Sequence, residues 1–304
     1  MKSKFIVIIF YMLLVHTSNS QWEQCKGITD GIWSLATCAD NIFAGTYQSG
    51  VYISTNDGKN WKPTSLKKRT IQSLVTSGNT VFAGTTEGLF LSTNNGKKWA
   101  LTSLINTTIW SMTVSNNCIF AAPTMAGVYI STDNGSNWAK TSFIDETVTA
   151  LASSGDNIFA GTSTGDLYLS TNKGENWIKT SFDVHNMEIY SIAATGNNVF
   201  VGPCWRNQSA GLSLSTDNGS NWVKTSLTEQ CVLSIVVNGD NYFAATPSAG
   251  IFSSSDKGSN WTQKNEGFPD NVWIYSLYAK DKFIIAGTKE NGVYRRAFSD
   301  FPNN

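Results

Sequence analysis

Histidine and charge are scarce in this sequence, and the chain has no paired-cysteine motif. Its 304 residues hold two histidines, His16 and His185, and no CxxC. A zinc site built from Cys and His needs about four such ligands at characteristic spacings, so none is expected. No metal and no cofactor is expected at all. Charged residues make up 14% of the chain, with Lys+Arg and Asp+Glu balanced at 22 each. Without a basic excess there is no electrostatic grip for nucleic acid or for an anionic lipid surface. The one GxSxG string, Gly161 to Gly165, falls in a repeated strand-and-turn stretch with no helical pattern after it and so is no elbow, and beyond the leader only His185 is available as a base, so Ser or Cys nucleophile chemistry has no support. Helical periodicity is absent. No segment after residue 20 approaches the roughly twenty apolar residues that a bilayer span requires, so membrane insertion is not expected.

What is present begins with a leader. Lys2 and Lys4 precede an apolar run from Phe5 to Val15, and Ser18-Asn19-Ser20 supplies small residues before Gln21. This is the three-part pattern of a secretory signal over residues 1–20, and it implies a secreted or periplasmic protein. Removing it takes away two lysines and no acid, leaving 20 basic against 22 acidic side chains. The five cysteines are Cys25, Cys38, Cys118, Cys204 and Cys231. The odd count allows at most two bridges and leaves one thiol free or paired with a partner. Asn, Ser, Thr, Gly and aromatic residues are abundant, as suits an all-β chain with many tight turns.

An octet dominates the rest. Ser131-Thr132-Asp133-Asn134-Gly135-Ser136-Asn137-Trp138 returns almost unchanged at Ser215 to Trp222. Four looser copies run from Ser54 to Trp61, Ser92 to Trp99, Ser170 to Trp177 and Ser254 to Trp261. Successive closing tryptophans are 38, 39, 39, 45 and 39 residues apart. Two further marks each occur seven times. One is a strand start at Ile32-Trp33-Ser34-Leu35, repeated at Ile71, Ile109, Val148, Ile189, Val232 and Ile274. The other is a Phe-Ala-Gly-Thr-like strand beginning at Phe43, Phe82, Phe120, Phe159, Phe200, Phe243 and Ile285.

A period near forty residues, with four short β-rich runs between turn residues, specifies a propeller blade. In blade 4 the strands are expected at 148–153, 157–162, 166–170 and 176–180. The fold class is therefore all-β, a seven-bladed β-propeller of four-stranded antiparallel blades over residues 21–298, with 299–304 a tail. Six blades plus fragments is the alternative. The seventh unit runs out at Gly292-Val293-Tyr294 without an octet. Gln21-Trp22-Glu23-Gln24, however, matches Asn260-Trp261-Thr262-Gln263. The N-terminal segment is thus expected to supply the outer strand of the last blade, which closes the ring and removes an open edge.

The octet resembles the Asp-box, or BNR, repeat found in sialidases, sortilin-type receptors, photosystem II assembly-factor propellers and some xyloglucan-degrading hydrolases. The resemblance covers nearly all of 21–298, and it implies an architecture rather than a task. Physically the octet is a turn. Gly58, Gly96, Gly135, Gly174, Gly219 and Gly258 can take positive φ without steric cost. Asp133, Asp217 and Asp256, or Asn56, Asn94 and Asn172 in the other copies, can accept backbone N–H groups across it. Trp61, Trp99, Trp138, Trp177, Trp222 and Trp261 are expected to pack between blades. Three of the six copies lack an acid at the third position, which argues against catalysis or calcium there. Sialidases need an arginine triad, whereas Arg69, Arg206, Arg295 and Arg296 are the only arginines and an Arg-Ile-Pro element is missing. Sialidase chemistry is not expected.

The functional face is expected where the loops between blades and between second and third strands gather around the channel. Blade 5 carries an insertion there, Pro203-Cys204-Trp205-Arg206-Asn207-Gln208-Ser209. Trp205 and Arg206 are the foremost binding candidates, with Trp33, Trp110 and Tyr190 at strand starts near the same face. Most strand-start aromatics are expected to pack between blades. Cys204 and Cys231 fall on one face of neighbouring blades and are a candidate disulfide. The expected function is non-catalytic binding of a protein or carbohydrate partner by a monomer. The alternatives are a glycoside hydrolase, drawing two carboxylates from Glu87, Asp145, Glu146, Asp166, Asp183, Glu188, Glu229, Glu266 and Glu290, or an assembly factor.

Overall fold

The computed structural model describes residues 21–143, 146–205 and 208–301. They form seven antiparallel sheets, each meandering outward from an inner strand. Blade 1 runs Ile32–Cys38, Asn41–Thr46, Gly50–Ser54 and Lys62–Lys67. Inner strands of consecutive blades touch, and the inner strand of blade 7 (Ile274–Lys280) touches that of blade 1, so the ring is closed. Within blade 1, Ile32 pairs with Thr46 and Gly50 with Lys67, whereas Cys38 pairs with Asn41 and Ile42 with Ser54. Strand starts of the inner strand and ends of the second therefore share one face, and the octets turn on the other. No described helix is long and apolar enough to cross a membrane.

Closure uses the two ends of the chain. Glu23–Gln24 adds to Val293–Ala297 as the fourth strand of blade 7, with Glu23 opposite Arg295 and Gln24 opposite Tyr294. Trp22 is 2% exposed, stacks on Phe268 at 4.8 Å and donates its indole N–H to the Lys264 carbonyl at 2.7 Å. Phe301, beyond the expected boundary at 298, is buried in the same cluster after a single 3₁₀ turn at Phe298–Asp300. Arg295 and Arg296 lie on the third strand of blade 7, not on an inner strand, and point to opposite sides. Arg295 pairs with Glu23 at 3.3 Å and Arg296 with Glu266 at 2.8 Å, so both pin this closing blade.

The core is seven clusters, one in each gap between blades, and each gap holds one tryptophan of the repeat. Trp61, Trp99, Trp138, Trp177, Trp222 and Trp261 fill six gaps, and Trp22 fills the gap between blades 6 and 7. Blade-to-blade approach is close: a Cβ added at Gly45 would lie 2.6 Å from the Ile71 side chain of the next blade.

The octets share one hydrogen-bond pattern. In the copy at 215, the buried Ser215 hydroxyl accepts the Gly219 N–H at 2.8 Å and donates to Asp217 at 2.7 Å. Asp217 also accepts the Asn221 backbone N–H at 2.8 Å and its side-chain amide at 2.7 Å. Where Asn replaces Asp, as at Asn56, the amide oxygen still accepts the backbone N–H of Asn60 at 3.0 Å. Both Asn218 and Gly219 sit at positive φ, 57° and 86°. The fourth strand of blade 4 starts later than expected, at Ile178–Asp183 rather than 176, because the Asn176 N–H is taken by Asn172 in the octet turn.

Candidate functional site

The inner strand starts with a repeated four-residue pattern, and its second position is special. In blades 1, 2, 3, 4, 5 and 7 the ladder to the second strand slips between the first and third residues of that pattern. The second residue is thus bulged, and a bulge re-aims the side chain it carries. The first residue stays between blades: Ile32, Ile71, Ile109, Val148, Ile189, Val232 and Ile274 are all fully buried. The third residue ties neighbouring blades together, as where Ser276 donates to the Ile32 carbonyl at 3.1 Å and Ser191 to Val232 at 2.6 Å.

The seven second residues are Trp33, Gln72, Trp110, Thr149, Tyr190, Leu233 and Tyr275, and all of them line one cavity of about 490 Å³ at the channel mouth. Glu188, Cys204, Pro247 and Trp273 complete its lining. A second cavity, of about 550 Å³, shares Trp33 and Tyr275 and extends over the junction of blades 7 and 1. It is lined further by Thr29, Asp30, Gly31, Tyr47, Lys289 and Glu290. The aromatics form a continuous run from Tyr47 to Trp33 (5.0 Å), Trp33 to Tyr275 (6.2 Å) and Tyr275 to Trp273 (6.5 Å). The Lys289 ammonium lies 4.5 Å from the Trp273 ring centre.

Two carboxyls here differ in environment. Burial pushes Glu188 above the usual carboxylate range, partly offset by a hydrogen bond from Tyr190. Burial pushes Asp30 the same way, but hydrogen bonds from Ser49, Gln48 and Gly31 outweigh it and hold Asp30 below its ordinary value. Asp30 is thereby committed to bracing the loop at Tyr47–Ser49.

The expectation that strand-start aromatics mostly pack between blades is reversed. Trp33, Trp110 and Tyr190 come together at the mouth, with Trp110 and Tyr190 39% and 45% exposed. Trp205 is 43% exposed but does not line the cavity, although its neighbour Cys204 does. The described residues of the insertion are paired strand rather than loop. The second strand of blade 5 continues through Trp205, which pairs with Gln208 of the short strand Gln208–Ser209. Arg206 lies outside the described residues, as does Asp145. Cys204 and Cys231 are joined by a disulfide with Cα atoms 5.2 Å apart, while Cys25, Cys38 and Cys118 are buried free thiols. Gln72, Thr149 and Leu233 were missed as site residues, yet their place in the repeat matched that of Trp33.

Of the acids weighed for hydrolysis, Glu188 alone lines the mouth cavity among the described residues, and Glu290 lines the adjoining one. Glu87 pairs with Arg69, Asp166 with Lys179 at 2.8 Å and Asp183 with His185 at 3.1 Å. Among the described residues no group of His, Cys, Asp and Glu is arranged to hold a metal ion.

No protein-family model matches the sequence. No curated protein matches it either. Solved structures do resemble it in fold. YCF48 bound to D1 peptide is 15% identical with a TM-score of 0.72, covering 91% of this chain and 96% of that one. The GH74 xyloglucanase from Xanthomonas campestris is 14% identical with a TM-score of 0.75, covering 93% of this chain and 54% of the enzyme. The extracellular domain of a putative hybrid two-component system from B. thetaiotaomicron is 13% identical with a TM-score of 0.75, covering 91% and 39%. At these identities the likeness establishes the fold, a seven-bladed β-propeller, and nothing finer.

Proposed function

We propose that the chain is an exported, non-catalytic propeller of the Asp-box type that holds a protein or glycan partner at the mouth of its channel. The observation carrying this reading is the ring of bulged second residues, which turns Trp33, Trp110, Tyr190 and Tyr275 toward one cavity. Rigid aromatics on a fixed scaffold offer contact area at low entropic cost, which is what a recognition surface needs. The reading takes residues 1–20 as a removed signal and the protein as a monomer. The similar YCF48 structure holds a peptide, which lends support to a protein partner.

Glycoside hydrolysis is the alternative. It requires two carboxyl groups roughly 5–10 Å apart around the scissile bond. The mouth cavity offers Glu188 as its single acid among the described lining residues, which favours binding over cleavage. The test is retention on glycan and peptide arrays with released sugar recorded alongside. Retention without release, lost in Trp110→Ala while the far-UV spectrum is unchanged, is expected. Sugar release that disappears in Glu188→Gln would replace the reading with an enzyme.

A further inference from the structure

The chemistry of the mouth selects for charge. Aromatic faces carry the negative part of the ring quadrupole, and a cation held over them is attracted most strongly where water is excluded. The described residues lining the mouth cavity include five aromatics and the Glu188 carboxyl, but no Lys, Arg or His. The protein's own Lys289 ammonium already rests on the Trp273 ring at 4.5 Å, from the adjoining cavity, where Glu290 pairs with it at 3.5 Å. That contact takes one ring of the cluster. Trp110 and Tyr190, on blades 3 and 5, remain exposed at 39% and 45%. An anionic group placed here would meet Glu188 and five aromatic side chains with no described cation in the lining.

We infer that the channel mouth is a cation-recognition site that seats an ammonium group of the partner on Trp33, Trp110 and Tyr190, with Glu188 as its counter-charge. This rests on the reading of the mouth as the binding surface and names the chemistry it selects. A cavity of about 490 Å³ has room for an alkylammonium or trimethylammonium group together with the chain that carries it.

The test uses two matched pairs of probes that differ in charge and little in shape. One pair is choline and 3,3-dimethylbutan-1-ol. The other is Nα-acetyl-lysine methylamide and its Nε-acetylated form. Binding to the purified protein is followed by tryptophan fluorescence and by saturation-transfer NMR. The charged member of at least one pair is expected to bind about tenfold more tightly than its neutral partner, the size of a partly desolvated cation–π contact aided by a carboxylate. Glu188→Gln should shrink that preference severalfold, and Trp110→Ala should weaken the charged probe more than the neutral one. Preference in the choline pair alone points to a quaternary ammonium, and preference in the lysine pair points to a basic peptide. Equal binding of charged and neutral probes, still lost in Trp110→Ala, overturns the inference and leaves the mouth as a binding surface. Binding of none of the four also overturns the inference, and the mouth is then judged by array retention alone.

Discussion

Replacing Trp22 by Ala should destabilise the propeller more than any other tryptophan substitution. The residue is 2% exposed, packs on Phe268 and Phe301 at 4.8 and 6.4 Å, and donates a partly buried hydrogen bond to the Lys264 carbonyl. Removing a fully buried Trp costs about 3–5 kcal/mol through lost transfer energy and the cavity left behind. Here the Lys264 carbonyl also loses its partner, which places the expectation at the upper end of that range. In a domain of this size each kcal/mol lowers Tm by roughly 2–4 °C, so a fall on the order of 10 °C is expected. Urea denaturation followed by far-UV circular dichroism gives the free energy, with Ile178→Ala as control. Ile178 is 72% exposed, and its loss should change stability by under about 0.5 kcal/mol. A Trp22→Ala protein within about 1 kcal/mol of wild type would mean that the N-terminal strand does not close the ring.

Other expectations follow from the octets and cysteines. The Asn221 side chain and backbone, with Ser215, hold Asp217 down to about 2 from 3.8, and Asp133 and Asp256 are lowered in the same way. Their ionised forms therefore stabilise the fold fully above pH 3.8, and this is lost as pH falls toward 2. The triple change of Asp133, Asp217 and Asp256 to Asn should flatten the acid limb of the stability curve, and an unaltered limb would count against the hydrogen-bond account. Ser215→Ala strands the buried Gly219 N–H and should cost about 1–3 kcal/mol in a urea melt, whereas the exposed Ser220→Ala should cost far less. Burial pushes the Cys25 thiol up to about 12 and raises Cys38 as well. Ellman's reagent should therefore find no fast thiol in the native protein and three after denaturation without reductant. Five would mean that the Cys204–Cys231 bridge is not formed.

The repeat made the architecture legible, because octet tryptophans 38 or 39 residues apart, with a single spacing of 45, mark copies of one unit. Closure was legible too, since Gln21-Trp22-Glu23-Gln24 repeats the end of an octet and the two residues after it, which the last unit lacks. The mouth was legible only in part. Ile32-Trp33-Ser34-Leu35 reads as simple alternation, and alternation says nothing of the bulge that turns Trp33 into the channel. That bulge depends on pairing with Gly45 and Thr46, ten or more residues away. The pairing of Trp205 was not legible either. Its turn-rich surroundings read as a loop, whereas the strand from Asn198 continues through it and pairs it with Gln208.

The most direct test of the binding mouth is ¹⁹F NMR of protein labelled with 5-fluorotryptophan, titrated with whichever array ligand is retained. The eleven tryptophans divide into three groups: Trp33, Trp110 and Trp273 line the mouth, Trp205 is exposed beside the lining residue Cys204, and the other seven sit between blades. Saturable shifts at Trp33, Trp110 and Trp273, with the seven between blades unmoved, are the predicted result. Shifts confined to the tryptophans of the octets would place the partner on the opposite face and contradict the account.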